Sequence, residues 1–134
     1  GEHLFNLLAV HLYPYGSTGG LPLGKVVPAQ GGQSAALLQR VARFHDPTLV
    51  AGDFNSTRDA ALHTSLRGHL TDAWERGASG PGGTVRAAGW FPLRVDHVYA
   101  STDFAVRSAR VPAYACADHR PIVTDLTLRS VRTD

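Results

Sequence analysis

Apolar residues recur along this chain in runs short enough for strands, interrupted by glycine- and proline-rich stretches. Residues 3–13, from His3 through Leu4, Phe5 and Leu7 to Tyr13, carry apolar side chains on both faces. That pattern predicts a strand in the middle of a sheet covered on both sides. Residues 14–32 hold three prolines and six glycines and read as an irregular loop. Leu37, Leu38, Val41, Ala42 and Phe44 then recur at helical spacing, which predicts an amphipathic helix over 33–44, ended by Asp46-Pro47. A strand at 48–51 follows. Ser56-Thr57-Arg58-Asp59 fits a capping signal for a helix at 60–66 that stops at Gly68, so Ser56 reads as a cap and not as a nucleophile. Residues 76–92 read as a second loop closing on Gly89-Trp90-Phe91-Pro92, whose aromatics either stack on a substrate ring or plug the core edge, the plug being preferred. Strands are expected at 93–100 and 104–111, partners across a turn at Ser101-Thr102-Asp103, and at 122–128. With no internal repeat and no linker, this order predicts one α/β (α+β) domain over residues 1–134.

Composition narrows the picture only slightly. A chain of 134 residues, 43% hydrophobic and 18% charged, can bury a real core. No window approaches the roughly 18 apolar residues of a membrane span. The net charge of +2 tolerates a phosphate-bearing partner without demanding one. Lys25 is the only lysine among the basic residues. Cys116 is the single cysteine, so no internal disulfide forms, and it reads as a small buried side chain. The chain opens on Gly1 instead of methionine, and a piece of something longer is expected.

The chemistry centres on Leu49-Val50-Ala51-Gly52-Asp53-Phe54-Asn55-Ser56. A short strand delivers a carboxylate and a carboxamide to the rim of a sheet, Gly52 allows the backbone to turn, and Phe54 points back to the core. An anionic acceptor and a neutral donor on one face suit a site that steers a water and holds an anion. Asp96 interrupts an apolar strand, where an unpaired carboxylate would be costly to bury. Asp118-His119 lies in a turn before the last strand, and a carboxylate beside an imidazole tunes it for acid–base work or anion holding. His11, near the end of the first strand, is on its own account more simply a hydrogen-bonded core residue. Together these strand ends predict a single pocket.

Four segments, Val10-His11-Leu12 with Pro14, Gly52-Asp53-Phe54-Asn55, Arg94-Val95-Asp96-His97-Val98 and Asp118-His119-Arg120-Pro121, stand in the order of the endonuclease/exonuclease/phosphatase superfamily, which the chain resembles over nearly its whole length. The resemblance implies a layered two-sheet β-sandwich flanked by helices and phosphoester cleavage with a divalent cation, Mg or Mn. It also implies residue roles: His119 beside the scissile phosphate and oriented by Asp96, Asp53 positioning or deprotonating the attacking water, Asn55 and His11 on phosphate oxygens, and Asp118 with Asp53 toward the metal. The family's N-terminal half holds an asparagine and a glutamate that is a principal metal ligand. This chain starts after both, and Glu2 does not match the glutamate's place. The chain is therefore expected to be one half of the four-layer phosphoesterase fold, with the other half removed or supplied by another chain in preference to a genuinely shortened protein, and with metal affinity weak in isolation. A non-catalytic binding or scaffold member of the fold is the alternative. A Ser-His-Asp hydrolase is excluded by the lack of a Gly-x-Ser-x-Gly turn, and a zinc site by the histidine spacing and lone cysteine. The substrate stays open among nucleic acid, phospholipid headgroup and sugar phosphate.

Overall fold

The computed structural model describes residues 4–14, 23–87, 91–113 and 117–129, with backbone alone at 23–28, 87 and 91. Glu2, His3, Trp90, Cys116 and the side chain of Phe91 lie outside that description. In chain order the elements are β1 (Asn6–His11), α1 (Leu23–Val41), β2 (Thr48–Asp53), α2 (Ala61–Arg67), β3 (Thr71–Asp72), α3 (Ala73–Gly77), β4 (Val85–Ala87), β5 (Phe91–Leu93), β6 (Asp96–Ala100), β7 (Phe104–Arg110) and β8 (Val123–Leu128). The fold is mixed α/β, as expected. Among the described residues a four-stranded sheet runs in the order β1-β2-β6-β3, and β4-β5 and β7-β8 form two-stranded sheets. β1 and β2 are parallel, and β6 is antiparallel to both β2 and β3.

Helices α1 and α2 cover one face of the large sheet. Leu37 and Val41 from α1, Leu62 and Leu66 from α2, Val50, Phe54, Leu70, Tyr99 and Leu12 make the core cluster. Among the described residues no helix is long and apolar enough to cross a membrane.

Several expectations give way to tertiary structure. β1 lies at the sheet edge, not its middle, and its Leu7, Ala9 and His11 face is exposed, with Leu7 at 61%. α1 begins ten residues earlier than its apolar periodicity suggests and absorbs Pro28, Gly31 and Gly32, which were read as loop. Side-chain bonds offset that poor helix propensity: Gln30 Nε2 donates to the carbonyls of Tyr13 (2.9 Å) and Phe54 (3.4 Å), and Gln33 Oε1 accepts the Tyr13 N–H. The helix ends at Val41, so Ala42 is exposed.

The stretch at 76–92 is not all loop, since it closes α3 and forms the β4–β5 hairpin. The strand expected at 93–100 is broken between β5 and β6. There Thr84 Oγ1 accepts the N–H groups of Val95 (3.2 Å) and Asp96 (3.3 Å), so these two amides find a side-chain acceptor. β7 pairs with β8 and not with β6, because β6 already has β2 on one edge and β3 on the other. Ser56 does not cap α2: Ala60 holds the cap position with no side-chain hydrogen bond, and Ser56 is buried elsewhere.

Candidate active site

The register of the large sheet sets the site. His11 is paired with Asp53 across β1 and β2, and Asp53 with Asp96 across β2 and β6. Three ionisable residues thus form a row across neighbouring strand ends. Gly52 sustains this row more by close approach than by turning the chain. Its φ is +143°, and a Cβ there would run into the Val10 carbonyl oxygen.

The turn before β8 brings the fourth member. His119 Nδ1 lies 2.8 Å from Asp96 Oδ2, and the backbone N–H of Arg120 ties the same turn to the Thr84 carbonyl at 2.7 Å. Ligand atoms of Asp53, Asp96 and His119 all lie within 4.8 Å of one another. His11 stands at the open end of the row, with Nε2 3.7 Å from Asp53 Oδ2 and its side chain 78% exposed. Partial burial works against a charged His119 ring. The hydrogen bond and charge of Asp96, with Asp53 and Asp118 nearby, outweigh that and raise its pKa.

Asn55 occupies a left-handed backbone conformation (φ 48°), which asparagine tolerates better than most residues. Its N–H donates to Asp53 Oδ1 (2.7 Å), which orients that carboxylate. Its Nδ2 donates to the Leu12 carbonyl (2.8 Å), leaving the second amide hydrogen for another acceptor. Asp118 is exposed, accepts the N–H of His119 on Oδ1 (3.1 Å), and stands outside the Asp53–Asp96–His119 cluster. Two carboxylates offering oxygen donors fit a hard divalent cation, which prefers oxygen and keeps waters.

Beneath this row lies a polar network that the sequence reading missed. Ser56 Oγ donates to the Phe54 carbonyl (3.1 Å), so His63 Nε2–H donates to Ser56 Oγ (2.9 Å) and Tyr99 O–H donates to His63 Nδ1 (2.7 Å). Burial, helped by the His97 ring, holds His63 down at about 4. This orientation makes His63 a donor toward Ser56, the opposite of what a nucleophilic serine requires. Alongside, Arg94 reaches Asp72 with two hydrogen bonds (3.3 and 3.0 Å) and donates to His97 Nδ1 (2.8 Å), while His97 Nε2–H donates to the Ser56 carbonyl. Burial pushes the Asp72 carboxyl up, but the hydrogen bonds and charge of Arg94, with the Trp74 N–H, more than offset it and bring it to about 2. The signal that could have revealed this network was the pair Arg94 and His97 flanking Asp96 in a segment that is otherwise apolar.

Convergent carboxylates and an imidazole thus meet at the ends of adjacent strands on a layered α/β scaffold, where ligands of such folds gather. Residues 8–119 match the model of the Endonuclease/Exonuclease/phosphatase family, and the chain belongs to that family. Solved structures agree. The chain is similar to an endonuclease/exonuclease/phosphatase from Beutenbergia cavernae at 26% identity, TM-score 0.69, over 89% of this chain and 34% of that one. It is similar to the 3' phosphatase NExo from Neisseria bound to product DNA hairpin at 17% identity, TM-score 0.65, over 90% and 60%. It is also similar to a mannosyl-6-phosphatase from Bacteroides thetaiotaomicron at 20% identity, TM-score 0.57, over 76% and 45%. The chain therefore spans less than two thirds of each of these proteins. A comparison with curated proteins found no match.

Proposed function

We propose that this chain carries the C-terminal half of a metal-dependent phosphoesterase site that hydrolyses its substrate by in-line attack of water. The observation that carries the reading is the meeting of Asp53, Asp96 and His119 within 4.8 Å, from three separate parts of the chain. Asp53, its carboxylate already oriented by the Asn55 N–H, positions the attacking water and takes its proton. Asp96 accepts the His119 Nδ1–H and favours the imidazolium, whose Nε2–H donates to a non-bridging phosphate oxygen and meets the charge that develops there. Asn55 offers its free amide hydrogen, and His11 its exposed ring, to further phosphate oxygens. As water's oxygen bonds to phosphorus the ester P–O bond breaks, and the leaving oxygen takes up a proton from solvent.

Asp53 and Asp118 would hold a divalent cation, Mg or Mn, whose chemistry is to neutralise charge on the phosphoryl group. The similar proteins include a 3' phosphatase bound to product DNA and a mannosyl-6-phosphatase, which supports a phosphoester substrate in nucleic acid or sugar phosphate form and leaves a phospholipid headgroup open. The exposed Phe5 and Leu7 support a complementary N-terminal half that packs there, and that half would add a further metal ligand. The test is hydrolysis of bis(4-nitrophenyl) phosphate with magnesium, by this chain alone and joined to any sequence its reading frame supplies upstream. Magnesium-dependent release of nitrophenol by the joined form is expected. Binding of phosphate without turnover in either form would instead make the chain a non-catalytic binding module.

A further inference from the structure

A cleft of about 540 Å³ opens beside the row of site residues, lined by Pro81, Gly83, Arg86, Pro92, Asp118 and Arg120 among others. Two connections fix it to the site. Asp118 on its wall is the neighbour of His119, and Thr84, also in its lining, accepts the Asp96 N–H. Its volume suits a small molecule, or the part of a larger one that flanks the reacting centre.

Four arginines elsewhere in the molecule are already paired with carboxylates. Arg58 and Arg67 share Glu75, Arg94 is bound to Asp72, and Arg110 faces Asp125. Among the described residues neither Arg86 nor Arg120 has a carboxylate within ion-pair distance or a side-chain hydrogen bond. One comes from β4 of the hairpin and the other from the turn that carries His119, so two separate elements each bring a free guanidinium to one wall system. Among the described residues, clefts with unpaired arginines also occur at Arg76 (about 270 Å³) and at Arg76 with Arg129 (about 330 Å³), but neither has a site residue or its sequence neighbour in its lining, which sets the Arg86–Arg120 cleft apart.

We propose that the Arg86–Arg120 cleft binds a second phosphate group of the substrate, flanking the one that is hydrolysed. A guanidinium presents a planar fork of donors that matches phosphate oxygens, and two of them lining one cleft can share a single phosphate group. The proposal rests on the phosphoesterase reading for the position of the first phosphate. The shared chemistry is a flanking phosphate, which a sugar bisphosphate or a short nucleic-acid strand can each supply.

The experiment measures binding to the full chain by titration calorimetry, with two matched pairs of probes: fructose 6-phosphate against fructose 1,6-bisphosphate, and thymidine 5'-phosphate against its 5'-phosphorylated dinucleotide. At least one two-phosphate probe should bind about tenfold more tightly than its partner, as expected for added charge-assisted bonds, and the pair showing the gain names the source. In Arg86→Ala, and more so in Arg86→Glu, that ratio should fall to near one. Both are substitutions at an exposed strand position, and unchanged circular dichroism certifies the fold. Equal affinities within both pairs, or a ratio insensitive to Arg86 and Arg120, would overturn the proposal. Hydrolysis of bis(4-nitrophenyl) phosphate, which has a single phosphate, would still test the reaction independently.

Discussion

Asp96 and His97 are consecutive residues of β6, yet they belong to two different polar systems separated by the thickness of the sheet. Asp96 turns to the rim, where it meets His119 and Asp53 in a half-open row with ligand atoms to spare. His97 turns inward, fully buried, with Arg94 on one ring nitrogen and the Ser56 carbonyl on the other. The inner network of Ser56, His63, Tyr99, His97, Arg94 and Asp72 contains two histidines, a serine and a carboxylate, so by residue type it is the more hydrolase-like of the two. Its ring nitrogens and hydroxyls are already engaged with one another. Capacity for chemistry here follows from unsatisfied donors and acceptors at an accessible edge, and the inner residues have instead become part of the core.

If that distinction is right, the two systems should fail in different ways. At the rim, His119→Ala should lower magnesium-dependent phosphoester turnover by about 10³-fold, the loss of roughly 4 kcal/mol of transition-state stabilisation, while the unfolding midpoint in urea barely moves. Turnover within a few-fold of the unsubstituted protein would remove His119 from the chemistry and with it the division between the two systems. In the inner network the consequence should be structural. Asp72 is fully buried and the Arg94 side chain only 9% exposed, so Arg94→Leu leaves an uncompensated carboxylate in the core. Such a break costs about 3 kcal/mol or more, read as a lower urea midpoint at neutral pH. A change below about 1 kcal/mol would mean that water reaches Asp72 and that the network is not closed.

The sequence was most legible where period and chemistry coincide. The strand at 48–51 and the inward course of Phe54 were readable, because alternation along an extended chain decides which side each residue takes, whereas Asn55 lies beyond the strand end in a left-handed conformation that alternation does not describe. The register that aligns His11, Asp53 and Asp96 was not readable, since it depends on pairing between strands far apart in the chain. α1 escaped for a related reason: its first half is held by Gln30 and Gln33 to Tyr13 and Phe54, partners no local window contains. Ser56 fits a capping pattern, but His63 and the Phe54 carbonyl claim its hydroxyl first. The role of His97 depends on Asp72 and Arg94 being folded against it, and nothing in the spacing of 72 and 94 announces that contact.

The smallest effect probes the inner network through acid. His63 is buried against Phe54, Ser56, Tyr99 and His97, with Arg94 and Asp72 beyond, and its pKa falls from 6.5 to about 4 on folding. The unfolded chain therefore binds a proton at His63 that the folded chain refuses between those two values. Stability contributed by the neutral ring is complete above 6.5, declines as the pH falls toward 4 and is constant below it. The linkage amounts to about 2 kcal/mol between roughly pH 7 and pH 5. Asp72, held at about 2 from an ordinary 3.8, contributes stability that is lost only at lower pH, so the two windows do not overlap. Urea unfolding of the chain and of His63→Gln across pH 5 to 7 should show a slope in the first that is shallower in the second by about this amount. Equal slopes would mean that the His63 ring accepts a proton in the folded state, opening the inner network to the titration that only the rim should show.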